Sequence, residues 1–133
     1  MSQSSQYLLI VDDNAGVCRL LHELFSDEGY IVETALNGAE ALKIVCAKTP
    51  SLILLDVKMP GMSGLETLDK IKEIVPDIPA VMMTAYTELD TVMAAQKEGL
   101  IQHYLSKPFD LDEIRRLVKR ILLSRECKHK VTG

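Results

Sequence analysis

The sequence predicts an α/β fold: a three-layer, doubly wound (βα)5 sandwich with a parallel five-stranded sheet in the order 2-1-3-4-5. Three observations predict it. Five apolar runs, Tyr7–Val11, Tyr30–Ala35, Ser51–Leu55, Ala80–Met83 and Ile101–Leu105, are mostly continuous rather than alternating. Strands buried on both faces of a parallel sheet have that pattern. Helical spacing fills the segments between and after these runs, so β and α units alternate along the chain. Finally, 133 residues with 47% hydrophobic content suit one domain that can bury its own core. The strand order is borrowed from a frequent architecture of such chains.

The elements follow in order. After the first run, Val17, Leu20, Leu21, Leu24 and Phe25 follow the i, i+3, i+4, i+7, i+8 template, and Gly29 stands where a helix should stop. Further helices are expected over Gly38–Lys48, Leu65–Val75 and Glu88–Glu98, with Pro50, Pro76-Asp77 and Gly99 as stops. Leu111, Ile114, Leu117, Val118, Ile121 and Leu122 give the last helix the spacing of the first. Five successive β/α units imply right-handed crossovers. The expected organisation is a single domain over residues 1–124 and a short basic C-terminal tail over 125–133.

The net charge of −4 hides an asymmetry, because residues 115–133 hold seven Lys or Arg and one acid. The remainder is strongly acidic, which argues against direct nucleic-acid binding. The basic end is explained by cations complementing a helix C-terminus. No apolar stretch has bilayer length, and Met1–Gln6 lacks the features of a secretory signal, so a cytoplasmic protein with no membrane partner is expected. Cys18, Cys46 and Cys127 are too few and too scattered for a disulfide framework; Cys18 and Cys46 are expected to pack. His22, His103 and His129 form no metal pattern, and Met59, Met62, Met82, Met83 and Met93 suit core or loop packing.

Chemistry gathers where the apolar runs end. Leu8-Leu9-Ile10-Val11 runs into Asp12-Asp13, and Leu52-Ile53-Leu54-Leu55 runs into Asp56. In a doubly wound sheet of this order the ligand crevice lies beyond the carboxyl ends of strands one and three, where these acids stand. Three close carboxylates repel one another unless a cation neutralises them, and a hard divalent ion, Mg²⁺ or Mn²⁺, suits oxygen ligands of this kind. A carboxylate can also be the nucleophile of phosphoryl transfer. Thr84 and Lys107, at the ends of the fourth and fifth runs, offer a hydroxyl and an ammonium for phosphoryl oxygens. A cis bond before Pro108 is a plausible way to fix the direction of Lys107.

Plainer explanations stand beside these. Asp12-Asp13-Asn14 are all good helix N-caps, Pro60-Gly61 is by itself a turn signal, and Thr84 can cap the fourth helix.

Together, Asp12-Asp13, Asp56 with Met59-Pro60-Gly61-Met62-Ser63-Gly64, Met83-Thr84-Ala85 and Lys107-Pro108-Phe109 resemble the receiver domain of bacterial response regulators, from about Tyr7 to Leu122. The resemblance implies that Asp56 is the phosphoacceptor, served by a phosphohistidine on a sensor histidine kinase. It implies Mg²⁺ held by Asp13, Asp56 and the backbone carbonyl of Lys58, with Asp12 holding the metal's water shell. Lys107 would pair with the phosphoryl group, and Thr84 with Tyr104 would form the switch pair.

The stretches Met83–Asp90 and Lys107–Arg115, with Lys58 two residues after Asp56, resemble the single-domain receivers of sporulation phosphorelays. That implies onward transfer to a histidine phosphotransferase, control by an aspartyl-phosphate phosphatase, and a phosphotransfer intermediate rather than a turnover hydrolase. Docking is expected at Ala15, Gly16, Val17 and Cys18 and at the loop holding Pro108 and Phe109. In that scheme Lys58 and Tyr86 hinder the hydrolytic water. Alternatives are a stand-alone receiver that docks to a target when phosphorylated, and the receiver fragment of a DNA-binding regulator.

Two other classes fit less well. An electron-transfer flavoprotein needs a phosphate-cradling loop after strand one, where Asp12-Asp13-Asn14 repel phosphate. An aspartyl phosphatase commonly carries a second acid where this chain has Lys58. The run from Gly99 to Lys107 is one residue longer than in most receivers, and Leu100 replaces a small residue, so the loop before strand five should differ.

Overall fold

The three central strands are buried along their full length, because helices cover both faces of the sheet. The computed structural model describes residues 6–132, without the side chains of Tyr86 and of residues 125–132. Strands β1 (Tyr7–Val11), β2 (Ile31–Ala35), β3 (Leu52–Asp56), β4 (Ala80–Thr84) and β5 (His103–Ser106) alternate with helices α1 (Ala15–Asp27), α2 (Gly38–Ala47), α3 (Gly64–Ile74), α4 (Leu89–Lys97) and α5 (Leu111–Thr132). All strand pairs are parallel and the order is β2-β1-β3-β4-β5, as expected.

Side-chain alternation divides the core into two layers. Leu9, Val11, Ile53, Leu55 and Met82 face Ala41, Val45, Leu68, Ile71 and Val92 of α2, α3 and α4. Leu8, Ile10, Leu52, Leu54 and Met83 face Leu21, Phe25, Ile114 and Val118 of α1 and α5. The register then aligns the strand ends: Val11 lies beside Leu55, Asp56 beside Met83, and Thr84 beside Ser106. Residues just past these ends therefore share one edge of the sheet.

Several expectations are corrected. Leu20 fits the helical template but is 47% exposed; Cys18 takes the inward place, so the buried stripe of α1 is Cys18, Leu21 and Phe25. Periodicity alone cannot say where the centre of a stripe lies. Cys46 and Met93 are exposed rather than packed. The fourth helix begins one residue later than expected, after a 3-10 turn at Tyr86–Glu88. Its N-cap position is Glu88, not Thr84. The fifth apolar run becomes strand only from His103, with Ile101 buried in the preceding loop. That longer loop is tied down by Lys72 Nζ donating to the Leu100 carbonyl at 2.9 Å and Gln96 Nε2 to the Gln102 carbonyl at 3.1 Å. The backbone of α5 continues as helix through the stretch expected to be a tail. Among the described residues, no helix is long and apolar enough to cross a membrane.

Candidate functional site: an acidic pocket at the strand ends

Local sequence aims each group. Asn14 caps α1, its Oδ1 accepting from the Gly16 and Val17 amides at 2.9 and 3.2 Å. Asp12 is fully buried and its Oδ1 accepts from the Asn14 amide at 2.9 Å, so it braces the turn rather than capping the helix. Asp13 is exposed at the rim. Beyond β3, Ser63 and Glu66 close a capping box at the start of α3. Gly64 lets that helix start against the end of β3: a Cβ there would sit 2.0 Å from the Asp56 carbonyl oxygen.

The three acids meet. One oxygen from each of Asp12, Asp13 and Asp56 lies within 4.8 Å of the others. Lys107 Nζ stands 2.8 Å from Asp12 Oδ2 and 3.1 Å from Asp56 Oδ1, reaching both buried acids at once. The Lys107-Pro108 bond is cis. The Lys107 amide donates to the Thr84 carbonyl at 2.7 Å and the Val57 amide to the Met83 carbonyl at 3.0 Å, which extends sheet-like pairing past the strand ends.

Burial pushes the Asp56 carboxyl up, the Asp12 charge adds to that, and Lys107 opposes it without cancelling it. Burial draws the Lys107 ammonium down, but its hydrogen bond to Asp12 and the charges of Asp12 and Asp56 outweigh burial, and the net shift is up. One ammonium thus faces three carboxylates. The surplus negative charge and the clustered oxygens fit a divalent cation, since a hard ion takes oxygen ligands at this spacing.

The remaining expected residues are distributed around this pocket. Thr84 is fully buried at the end of β4, and its hydroxyl donates to the Ala85 carbonyl at 3.0 Å. Tyr104 lies on the same sheet face as Thr84, half-buried against the α2–α3–α4 layer. Lys58 is exposed beside the pocket, its Nζ 3.9 Å from Glu88 Oε2. The Tyr86 side chain lies outside the described residues. Ala15, Gly16 and Pro108 are exposed, Val17 and Phe109 half-buried, and Cys18 buried. Cys18 therefore offers no docking surface. Its Sγ donates to the Asp12 carbonyl at 3.2 Å, and burial, then Asp12, pushes the thiol up to about 11. Sequence reasoning missed the roles of Gly64 and Cys18, and it missed the Ser63-x-x-Glu66 capping signal at the start of α3, which says nothing of how near Asp56 lies.

Known proteins are similar to this chain in sequence and in fold. The chain is 47% identical over 118 residues to sporulation initiation phosphotransferase F of Bacillus subtilis (strain 168), covering 89% of this chain and 94% of that protein. It is 40% identical over 113 residues to the DNA-binding transcriptional regulator NtrC of Escherichia coli (strain K12), covering 85% of this chain but 24% of that one. Among solved structures, the receiver domain of NtrX from Brucella abortus superposes with a TM-score of 0.80 at 32% identity, covering 86% of this chain and 97% of that one. A CheY-like receiver domain protein of Methanospirillum hungatei JF-1 superposes with a TM-score of 0.86 at 28% identity, covering 93% and 98%. Residues 8–119 match the response regulator receiver domain across every strand and the whole acidic pocket, and the chain belongs to that family.

Proposed function

We propose that Asp56 is the phosphoacceptor of a phosphorelay, taking a phosphoryl group from a sensor histidine kinase and passing it to a histidine phosphotransferase. A carboxylate oxygen of Asp56 forms the new O–P bond while the N–P bond to the partner's imidazole breaks. The electron pair returns to that nitrogen, which takes up a proton, and Asp56 becomes an acyl phosphate. The onward step reverses this toward a second histidine. The observation that carries the reading is Lys107 Nζ set between Asp12 and Asp56 in a three-carboxylate pocket, a cation already placed to meet a phosphoryl oxygen on Asp56.

Mg²⁺ or Mn²⁺, when held by Asp13, Asp56 and the Lys58 carbonyl with Asp12 on its water shell, supplies further charge neutralisation. Thr84 turns its hydroxyl from the Ala85 carbonyl toward the phosphoryl group, and Tyr104, on the same face, follows inward. Partners dock on the exposed start of α1 at Ala15, Gly16 and Val17 and on Pro108 and Phe109. The receiver spans residues 1–124, works in the cytoplasm, and is reset by an aspartyl-phosphate phosphatase. The relative from B. subtilis, a phosphotransferase by name and matched over nearly its whole length, supports the relay. NtrC, of which the chain matches 24%, supports a second reading: a receiver whose output is docking or an attached DNA-binding domain.

Intact mass after incubation with acetyl phosphate and Mg²⁺ tests this. One metal-dependent phosphoryl group, absent from Asp56→Asn and persisting for hours, is expected. Loss within seconds would sink the relay and leave the docking receiver, whereas no adduct would remove the phosphoacceptor.

A further inference from the structure

At the opposite edge of the sheet from the acidic pocket, the α3–β4 loop, the start of β5 and the middle of α5 line a groove of about 600 Å³. That volume is in the range of small-molecule sites. Lys72, His103 and Arg120 bring cationic or ionisable nitrogens to it from three elements, while Pro76, Pro79 and Ile121 supply apolar wall. Asp77 is an acid on the same lining. On the other side of His103, Arg116 and Arg120 line an adjoining groove of about 390 Å³ with Glu113. Against the acids Asp77 and Glu113 the two grooves set Lys72, Arg116 and Arg120, a small positive excess on a protein whose net charge is −4.

We infer that the larger groove binds a small phosphorylated molecule, its phosphate held by Lys72, His103 and Arg120 and its apolar body against Pro76, Pro79 and Ile121. Among the described residues neither Lys72 nor Arg120 forms an ion pair. The Lys72 ammonium gives one hydrogen to the Leu100 carbonyl and keeps two donors. Burial pushes His103 down and the Arg120 charge pushes it further, which sets Arg120 close to the ring. The charged groups facing that ring are Arg120, Arg116 and Glu113 of α5, Lys72 of α3 and Asp77 of the α3–β4 loop. Donors that line one groove from three elements suit a tetrahedral dianion, which can take more than one donor at once. None of these residues belongs to the acidic pocket, so failure here leaves the role of Asp56 untouched.

An NMR titration of the His103 ring proton, with and without about 10 mM AMP, tests the site. The midpoint should rise by about one unit with AMP while His22 stays put. Inorganic phosphate should give a smaller rise and adenosine none. The double variant Lys72→Gln, Arg120→Gln should weaken AMP binding at least about tenfold, roughly the loss of one charge-assisted contact. Its phosphoryl uptake on Asp56 should stay at the wild-type level, which shows that the variant is folded. An unmoved His103, an equal shift at His22, or an adenosine effect as large as that of AMP would each overturn the proposal.

Discussion

On the β1–β3 side of the acidic pocket every strand residue is buried, Asn14 caps α1 with two hydrogen bonds, and Ser63 and Glu66 close a capping box at α3. On the β4–β5 side, α4 starts at Glu88 with no side-chain cap, follows a 3-10 turn, and is nine residues long. The edge strand β5 leaves His103 and Tyr104 half-buried. Side-chain caps fix the starts of α1 and α3, whereas α4 has none, so its first turn should open locally at lower free energy. The charges sit mostly in the first half and the groups assigned to switching in the second. A firmly capped seat for Asp56 beside an uncapped α4 and a half-buried Tyr104 suits a site in which added charge is to become movement.

Five substitutions and one exchange measurement bear on that contrast. The largest effect is expected from Gly64→Ala, because the new Cβ meets backbone of the Asp56 residue itself. Denaturant unfolding should show a loss of about 3 kcal/mol or more, and a loss under about 1 kcal/mol would mean the first half can yield.

Lys107→Ala comes next. It leaves Asp12 fully buried without its cation, and should cost about 2 kcal/mol at pH 7 and less near pH 4, where the raised Asp56 carboxyl takes up a proton and the pocket carries less negative charge. The raised Lys107 ammonium makes its stabilisation complete below its ordinary value of 10.5, and that stabilisation is lost as pH rises through the folded value. An identical loss at both pH values would contradict an electrostatic origin.

Asp56→Asn should act in the opposite direction. A carboxyl raised above its ordinary 3.8 binds protons more tightly folded than unfolded, so wild-type stability falls as pH rises through that window. Removing the charge should raise Tm at neutral pH by roughly 3–5 °C, about 1 kcal/mol, and should flatten the pH dependence. A lower Tm would show that Lys107 needs Asp56 more than Asp56 strains the pocket.

The smallest effects compare the two helix starts. Ser63→Ala should cost about 1 kcal/mol by removing a cap of α3. Glu88→Gln at α4 should change stability by less than about 0.5 kcal/mol, since it breaks only a 3.9 Å pair with the exposed Lys58. Amide exchange should be faster in α4 than in α3, and equal protection would erase the contrast.

Much of the site was legible because its signals are local. Asp12, Asp13 and Asp56 stand at the ends of apolar runs, and a parallel sheet must bring those ends to one edge. Thr84 and Lys107 follow by the same logic. What was not legible depends on rotation and approach. Whether Leu20 or Cys18 faces inward depends on how α1 is turned against β1 and α5, and the inward thiol then reaches the Asp12 carbonyl. The requirement at Gly64 comes from the closeness of α3 to Asp56.

By itself, then, the sequence determined the five β/α units, the burial of the central strands and the edge where the acids collect, since periodicity and strand ends are properties of neighbouring residues. Only the tertiary structure decided that Lys107 bridges Asp12 and Asp56, that Thr84 donates to the Ala85 carbonyl rather than capping α4, and that Lys72, His103 and Arg120 share one groove. The reason is range: those groups lie far apart along the chain, and their meeting depends on register and packing between elements that no local pattern encodes.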